Sequence, residues 1–178
     1  MNEKTSQPPV NPFEQKKEGR PLYRIFTAVP PSYDLINRIF TLRLDERWRK
    51  QAAKEILADK PLRIMDLCTG TGDLAVRLAR MTNGTTEVTG YDYSQPMLDL
   101  AGRKADKAGQ DQIRFIQGDA AAMPFPDNYF DSIGIAFAFR NLTFKNHDTD
   151  RFLKEINRVL RPGGRFVIIE SSQPVYGL

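Results

Sequence analysis

Four acidic residues and one glycine turn carry the chemistry this sequence can do. The run from Arg63 to Asp73 is a short apolar segment holding Asp66, then Cys68, the turn Gly70-Thr71-Gly72 and a further acid, Asp73. A turn of this kind between a strand and a helix presents backbone N–H groups and a helix N-terminus to the anionic end of a ligand. With Ala75 it satisfies the looser dinucleotide fingerprint G-x-G-x-x-A. Gly72 can take positive φ and lets a ligand approach the backbone closely. Asp73 disfavours a pyrophosphate at that helix start and suits a zwitterionic ligand whose ammonium group needs a partner. The plain alternative is a tight turn with no ligand.

The other two acids follow later strands. Asp92 lies about 20 residues past the second glycine, where a carboxylate can accept hydrogen bonds from both ribose hydroxyls of a nucleotide-like cofactor. Gly118-Asp119-Ala120 can take an adenine amino group on the carboxylate and a ring nitrogen on the next backbone N–H, although Gly-Asp is also a common turn. Cys68 has no histidine near it in sequence and reads as a small buried residue rather than a nucleophile.

Alternating elements must position these residues. Strands are expected at Leu62–Leu67, Glu87–Tyr91, Ile113–Gln117, Ser132–Phe137 and Arg165–Glu170. Helices are expected from Asp73 to about Met81, from Ser94 (a plausible N-cap, with Pro96 in the first turn) to about Ala108, and over Phe152–Leu160. Pro162-Gly163-Gly164 should stop the last of them. Upstream, Tyr33, Ile36, Phe40, Leu44 and Trp48 fall at helical spacing on one apolar face, ended by Lys60-Pro61. Five strands at this rhythm imply an α/β fold with a doubly wound, mostly parallel sheet, whose ligand lies beyond the carboxyl ends of the strands. Three regions follow: a disordered or loosely docked tail over 1–21, a helical lid over 22–60 and a cofactor-binding core over 61–178.

Bulk properties narrow the class. The chain has 178 residues, 40% apolar and 27% charged, enough for one domain with a real core. The net charge of +4 is mild for a nucleic-acid binder, and much of it sits in Arg38, Arg43, Arg47, Arg49, Lys50 and Lys54. That cluster reads as a solvated helix face or as a contact for an anionic membrane surface. A lone cysteine allows no intramolecular disulfide and points to a reducing compartment. The longest near-apolar run, Ile133–Phe139, falls far short of the roughly 20 residues a spanning helix needs. With a polar, Pro-rich start, the expected location is cytoplasmic, with peripheral contact at the inner face of a membrane.

The turn, the two acids, the loop Met123–Asp131 and the stop Leu160–Gly164 together resemble class I S-adenosylmethionine methyltransferases of Rossmann-like fold. Their D-x-G-x-G-x-G run lacks its first glycine here, where Cys68 stands. That departure, with Tyr33-Asp-x-x-Asn37, Trp48-Arg49, Pro124-Phe-Pro-Asp127, Arg140-Asn141 and Glu170-x-x-x-Pro174, resembles the ubiquinone/menaquinone biosynthesis C-methyltransferases. The resemblance covers roughly residues 23 to 175.

The resemblance implies the cofactor S-adenosyl-L-methionine, held by Asp66, Gly70, Thr71, Gly72, Asp92, Met97, Asp119, Ala120 and Ala136, with no metal. Ala136 stands where family members often have Ser, and Ala138 where they have Gly. The implied reaction is methylation of a ring carbon on a polyprenylated demethyl-hydroquinone. The methyl donor and that carbon then need near-attack placement at roughly 3–3.5 Å. Arg140 and Asn141 are the candidates to stabilise a phenolate; an Arg is too basic to serve readily as the base itself. The alternative for Arg140 is pairing to a structural carboxylate. His147, the only histidine, reads as an exposed residue at a helix start beside Asp148, with a role as base as the second reading.

The family pattern continues past the strand-five segment with two more strands and a substrate-covering helix. Five strands are therefore expected, with the last two of the fold missing. An unpaired edge at strand five would then favour a homodimer, and turnover would be weak. Two other functions compete: an NAD(P)-dependent oxidoreductase, suggested by G-x-G-x-x-A and Asp92, and a non-catalytic cofactor-binding subunit of a quinone-synthesis complex.

Overall fold

The structure, a computed structural model, describes residues 44–170. The tail over 1–21, the helical positions Tyr33, Ile36 and Phe40, the motif Tyr33–Asn37, and Pro174 lie outside the described residues. In chain order the elements are α1 (Leu44–Ile56), β1 (Arg63–Leu67), α2 (Asp73–Thr82), β2 (Glu87–Asp92), α3 (Gln95–Lys107) and β3 (Arg114–Gln117). They continue with β4 (Phe130–Ala136), α4 (Phe139–Thr143), α5 (Thr149–Val159) and β5 (Leu160–Ile169).

All five strands are parallel, in the order β3-β2-β1-β4-β5. Sequence order reverses between β1 and β4, so the switch point of the sheet lies beside the carboxyl end of β1. The register aligns those ends, with Leu67 opposite both Tyr91 and Ile135, Asp92 opposite Gln117, and Ala136 opposite Ile169.

Period-two alternation divides the core between the two faces. Met65, Leu67, Tyr91, Ile133 and Ile135 point to one side, against Phe152, Ile156 and Val159 of α5. Ile64 and Val88 belong to the other side, with Ile56 of α1, Leu74 and Leu78 of α2, and Ala105 of α3. The result is a three-layer α/β/α sandwich. Helix α1 sits tightly on it: a Cβ at Gly134 of β4 would lie 2.5 Å from Ile56 Cδ1.

Several expected boundaries move. Trp48 does not lie on the buried face of α1; it is 45% exposed, and Ala52, Ala53 and Ile56 form that face instead. Helix α5 ends at Val159, ahead of Pro162-Gly163-Gly164, and Leu160 already pairs with Phe130. The ladder resumes at Arg165 opposite Ser132, so residues 161–164 loop out as an irregularity inside β5. Pro162 has no N–H to donate to a ladder, which accounts for the excursion. Strand β4 begins at Phe130 and stops before Phe137, whose φ of 58° ends it. The short helix α4 follows, in a stretch with no periodic signal.

Candidate active site

The turn after β1 is built from left-handed positions. Cys68 has φ 55°, Gly70 φ 55° and Gly72 φ 81°. Cys68 thus occupies the place of a glycine and adopts a glycine's conformation, which costs an L-residue about 1–2 kcal/mol. The two glycines serve different ends. A Cβ at Gly72 would lie 2.9 Å from Ala101 Cβ, so this glycine lets α3 pack against the turn, whereas a Cβ at Gly70 would meet nothing within 4 Å. The turn is therefore backed by α3 at Gly72 and open at Gly70.

The three acids close around this turn. Asp66, 1% exposed, accepts the Thr69 hydroxyl at 2.6 Å and the Ala75 N–H at 3.0 Å on Oδ2. It thereby ties the strand to the first turn of α2. Burial pushes its pKa up to about 7 against those two hydrogen bonds and the nearby Arg49. Asp92 Oδ2 accepts Gly70 N–H at 2.8 Å and Oδ1 accepts Ser94 N–H at 2.9 Å. Burial raises its pKa as well. Asp119 Oδ1 accepts Ala121 N–H at 2.9 Å, and its carbonyl accepts the Tyr91 hydroxyl at 3.2 Å.

Cys68 lies among these acids. Burial, and then the charges of Asp92, Asp66 and Asp119, hold its thiol well above the ordinary range. Its thiolate is disfavoured, though Cys68 is half-buried rather than the buried residue the sequence suggests. The same cluster defines what the cup accepts. Carboxylates at Asp92 and Asp119 can receive hydroxyl and amino donors.

Asp73 departs from expectation. Its Oδ1 lies 2.6 Å from Lys104 Nζ of α3 and its Oδ2 lies 3.9 Å from Arg49 of α1. A protein cation already balances this carboxylate, so a ligand's ammonium group is not needed there. Lys104 also donates to Thr71 Oγ1 at 2.9 Å. Arg49 is held by Asp45 at 2.5 Å and covers the Phe137 ring at 5.1 Å, and Trp48 packs on that ring at 6.2 Å.

The remaining candidates spread along the same end of the sheet. Met97 is 5% exposed in the first turn of α3, and Ala120 is 8% exposed after β3. Ala136 ends β4, half-buried. Ala138 has φ −129°, which alanine adopts without strain; the left-handed residue is its neighbour, Phe137. Arg140 is exposed, its guanidinium 4.5 Å above the Phe144 ring, and its backbone N–H donates to Glu170 Oε2 at 3.0 Å. Among the described residues no carboxylate pairs with its side chain, contrary to the pairing alternative. Asn141 is half-buried, and its carbonyl accepts Asn146 Nδ2 at 3.1 Å. His147 is exposed between α4 and α5, and Asp148 is the N-cap residue of α5.

The loop Met123–Asp127 is held from α5. Arg158 donates to the carbonyls of Met123 and Phe125 at 2.9 and 2.7 Å and to Asp127 at 2.8 Å, while Glu155 accepts Met123 N–H at 2.7 Å. These contacts make its proline-rich motif a scaffold for the end of β3. Sequence reasoning did not find Lys104 or Tyr91, whose partners lie far along the chain. Arg49 had a signal, in Trp48-Arg49. Among the described residues, no three His, Cys, Asp or Glu side chains are placed to hold a metal, and no helix is long and apolar enough to cross a membrane.

Comparison with known proteins adds an independent line. A sequence model of the ubiE/COQ5 methyltransferase family matches residues 13–178. The chain is 46% identical over 153 residues to demethylmenaquinone methyltransferase of Thermus thermophilus, covering 86% of this chain and 67% of that protein. To the enzyme of the same name from Deinococcus radiodurans it is 42% identical over 173 residues, covering 97% and 68%. The one from Staphylococcus aureus is 37% identical over 161 residues, covering 90% and 64%. The chain thus spans about two thirds of the length of these relatives. Among solved structures, YcgJ of Bacillus subtilis superposes with TM-score 0.61 at 27% identity, covering 70% of this chain and 50% of that one. A SAM-dependent methyltransferase from Aquifex aeolicus gives TM-score 0.58 at 23% identity, covering 75% and 77%, a likeness of fold alone.

Proposed function

Because the chain belongs to the ubiE/COQ5 methyltransferase family, we propose that it uses S-adenosylmethionine to methylate a ring carbon of a polyprenylated demethyl-hydroquinone in menaquinone or ubiquinone biosynthesis. The observation that carries this reading is the cup of Asp66, Asp92 and Asp119 around a glycine turn whose Gly70 face is open. Its acids match the donors of an adenosine, a moiety both cofactors carry, and membership of a methyltransferase family is what argues against the NAD(P) oxidoreductase. The named relatives are all methyltransferases.

When bound, S-adenosylmethionine supplies a methyl group on a sulfonium centre. The residues of this chain fit that group. Asp92 would accept from a ribose hydroxyl, since a carboxylate has about four lone-pair sites and the backbone N–H groups of Ser94, Gly70 and Tyr93 use three. Asp119 and the backbone at Ala120 would read the adenine, with Met97 and Ala136 as packing. Thr71 and the amides of Gly70 and Gly72 would meet the amino-acid end. Asp66 would act through the turn, which it holds by Thr69 and Ala75. On the substrate, loss of a phenolic proton makes the ring carbon more nucleophilic. Arg140 and Asn141 would stabilise the phenolate left behind.

Two looser elements belong to the same reading. Exposed Arg47, Lys50 and Lys54 on α1 support peripheral contact with an anionic membrane, to be checked by vesicle flotation. β5 has β4 as its only strand partner among the described residues, which supports a homodimer, to be checked by sedimentation velocity. The function itself is tested by calorimetry with S-adenosylhomocysteine and NADH, followed by a methyl-transfer assay on a reduced demethylquinone. Binding of the first ligand and not the second is expected. The reverse result would overturn the proposal, and binding without transfer would favour the non-catalytic subunit.

A further inference from the structure

The turn that would hold the cofactor has no side chain packed against it at Gly70, where an added Cβ would meet nothing within 4 Å. Two of its residues are glycines at positive φ, and glycine has the most freedom to lose on ordering. Asp66 and Asp92 fix it at Thr69 and Gly70. Beyond Gly70 the tether comes from α3, whose Lys104 reaches back to Thr71 and Asp73 at 2.9 and 2.6 Å. The Lys104 and Asp73 side chains are only 27% and 20% exposed, so solvent screens the pair less than it would on an open surface.

We propose that Lys104 is a positioning residue for the cofactor turn, holding Thr71 and Asp73 so that the Gly70–Gly72 backbone stays in its ligand-ready form. The proposal rests on the reading that this turn receives S-adenosylmethionine. An ammonium group has three donors and no acceptor, so Thr71 Oγ1 can only accept from Lys104. The Thr71 hydroxyl proton is therefore directed away from Nζ, which sets the hydroxyl as a donor toward its other neighbours. Lys104 also offsets the negative charge of Asp73 at the start of α2, where that charge would otherwise oppose an anionic group on the turn. Arg49 approaches the other oxygen of Asp73 from α1, so the same carboxylate links the helix over the site to the turn beneath it.

The test uses the whole chain, with calorimetry against S-adenosylhomocysteine and hydrogen exchange of the amides at 70–73 in the free protein. Lys104→Met keeps the aliphatic stem and removes the charge. It is expected to weaken binding about tenfold and to speed exchange in the turn. Lys104→Arg, which can still reach both oxygens, should recover most of each effect. On a Thr71→Val background, Lys104→Met should weaken binding by less than its effect in the parent, because the two changes remove one shared contact. Parent-like affinity and exchange in Lys104→Met, with only a lower melting temperature, would overturn the proposal. If the parent itself binds no S-adenosylhomocysteine, the cofactor reading fails. Exchange in the turn then decides on Lys104 alone: faster exchange supports it and unchanged exchange overturns it.

Discussion

Asp92 Oδ2 accepts the backbone N–H of Gly70 at 2.8 Å, joining the end of β2 to the turn after β1 across 22 positions of sequence. Its other oxygen accepts Ser94 N–H at 2.9 Å, at the start of α3. The carboxylate thus holds two strand–helix connections in register.

Asp92→Asn should consequently be far from conservative. Its amide has one oxygen where the carboxylate serves the backbone N–H groups of Gly70, Ser94 and Tyr93, so at least one N–H must face an NH₂ group. We expect S-adenosylhomocysteine affinity to fall about 10- to 100-fold in Asp92→Asn and at least as far in Asp92→Ala. Parent-like titrations for either variant would remove Asp92 from the cofactor site.

Asp92 and Asp119 were legible as candidates because each closes or follows an apolar run, and parallel strands put their ends at one edge of the sheet; Asp66, inside β1, was legible only through the glycine turn that comes after it. The alternation of elements was legible for the same reason, since Ile64, Val88 and Ile133 carry a strand's pattern. Lys104 was not, because it meets Asp73 31 residues away and nothing in an amphipathic helix says which polar side chain reaches back. Nor was α4, whose five residues are too few to show a period. Pro162-Gly163-Gly164 misled as a helix stop because the same residues suit a bulge. Phe137 gave no sign of its left-handed backbone, as the family's glycine position is Ala138.

Gly118 is required by its neighbour rather than by its own conformation. A Cβ there would fall 1.9 Å from the Tyr91 hydroxyl, and Tyr91 is 1% exposed with no room to swing away. Gly118→Ala should break the Tyr91 bond to the Asp119 carbonyl and cost about 1–3 kcal/mol in urea unfolding. It should also weaken S-adenosylhomocysteine by shifting Asp119. Unchanged stability would mean that the contact yields more easily than its burial implies.

Asp66 gives stability a pH dependence of definite sign. Its pKa is about 7 in the folded protein against an ordinary 3.8. Between those values the unfolded chain releases this proton and the folded one keeps it, so Asp66 makes stability fall as pH rises through that window. Asp66→Asn cannot ionise, and its single oxygen can still accept from both Thr69 and Ala75, because Oδ2 alone does so now. Urea unfolding at about pH 5 and about pH 8 should show the variant gaining on the parent at the higher pH. A difference independent of pH would mean that Asp66 titrates normally.

Cys68 tests whether the missing glycine matters to the fold. At φ 55° a glycine relieves about 1–2 kcal/mol of backbone strain, while removing the thiol forfeits contacts with the core around Leu67 and Tyr91. The two terms are of similar size and opposite sign, so Cys68→Gly should change unfolding free energy by less than about 1 kcal/mol. Cys68→Val fills similar volume but puts a β-branched side chain at positive φ, and should cost about 2 kcal/mol or more. In the native protein the thiol should also resist iodoacetamide at mildly alkaline pH and react only on unfolding, because burial and three carboxylates disfavour its thiolate. A stabilised Cys68→Val, or a thiol that reacts as fast in the folded chain as in the unfolded one, would contradict the half-buried, left-handed cysteine on which the shape of the turn depends.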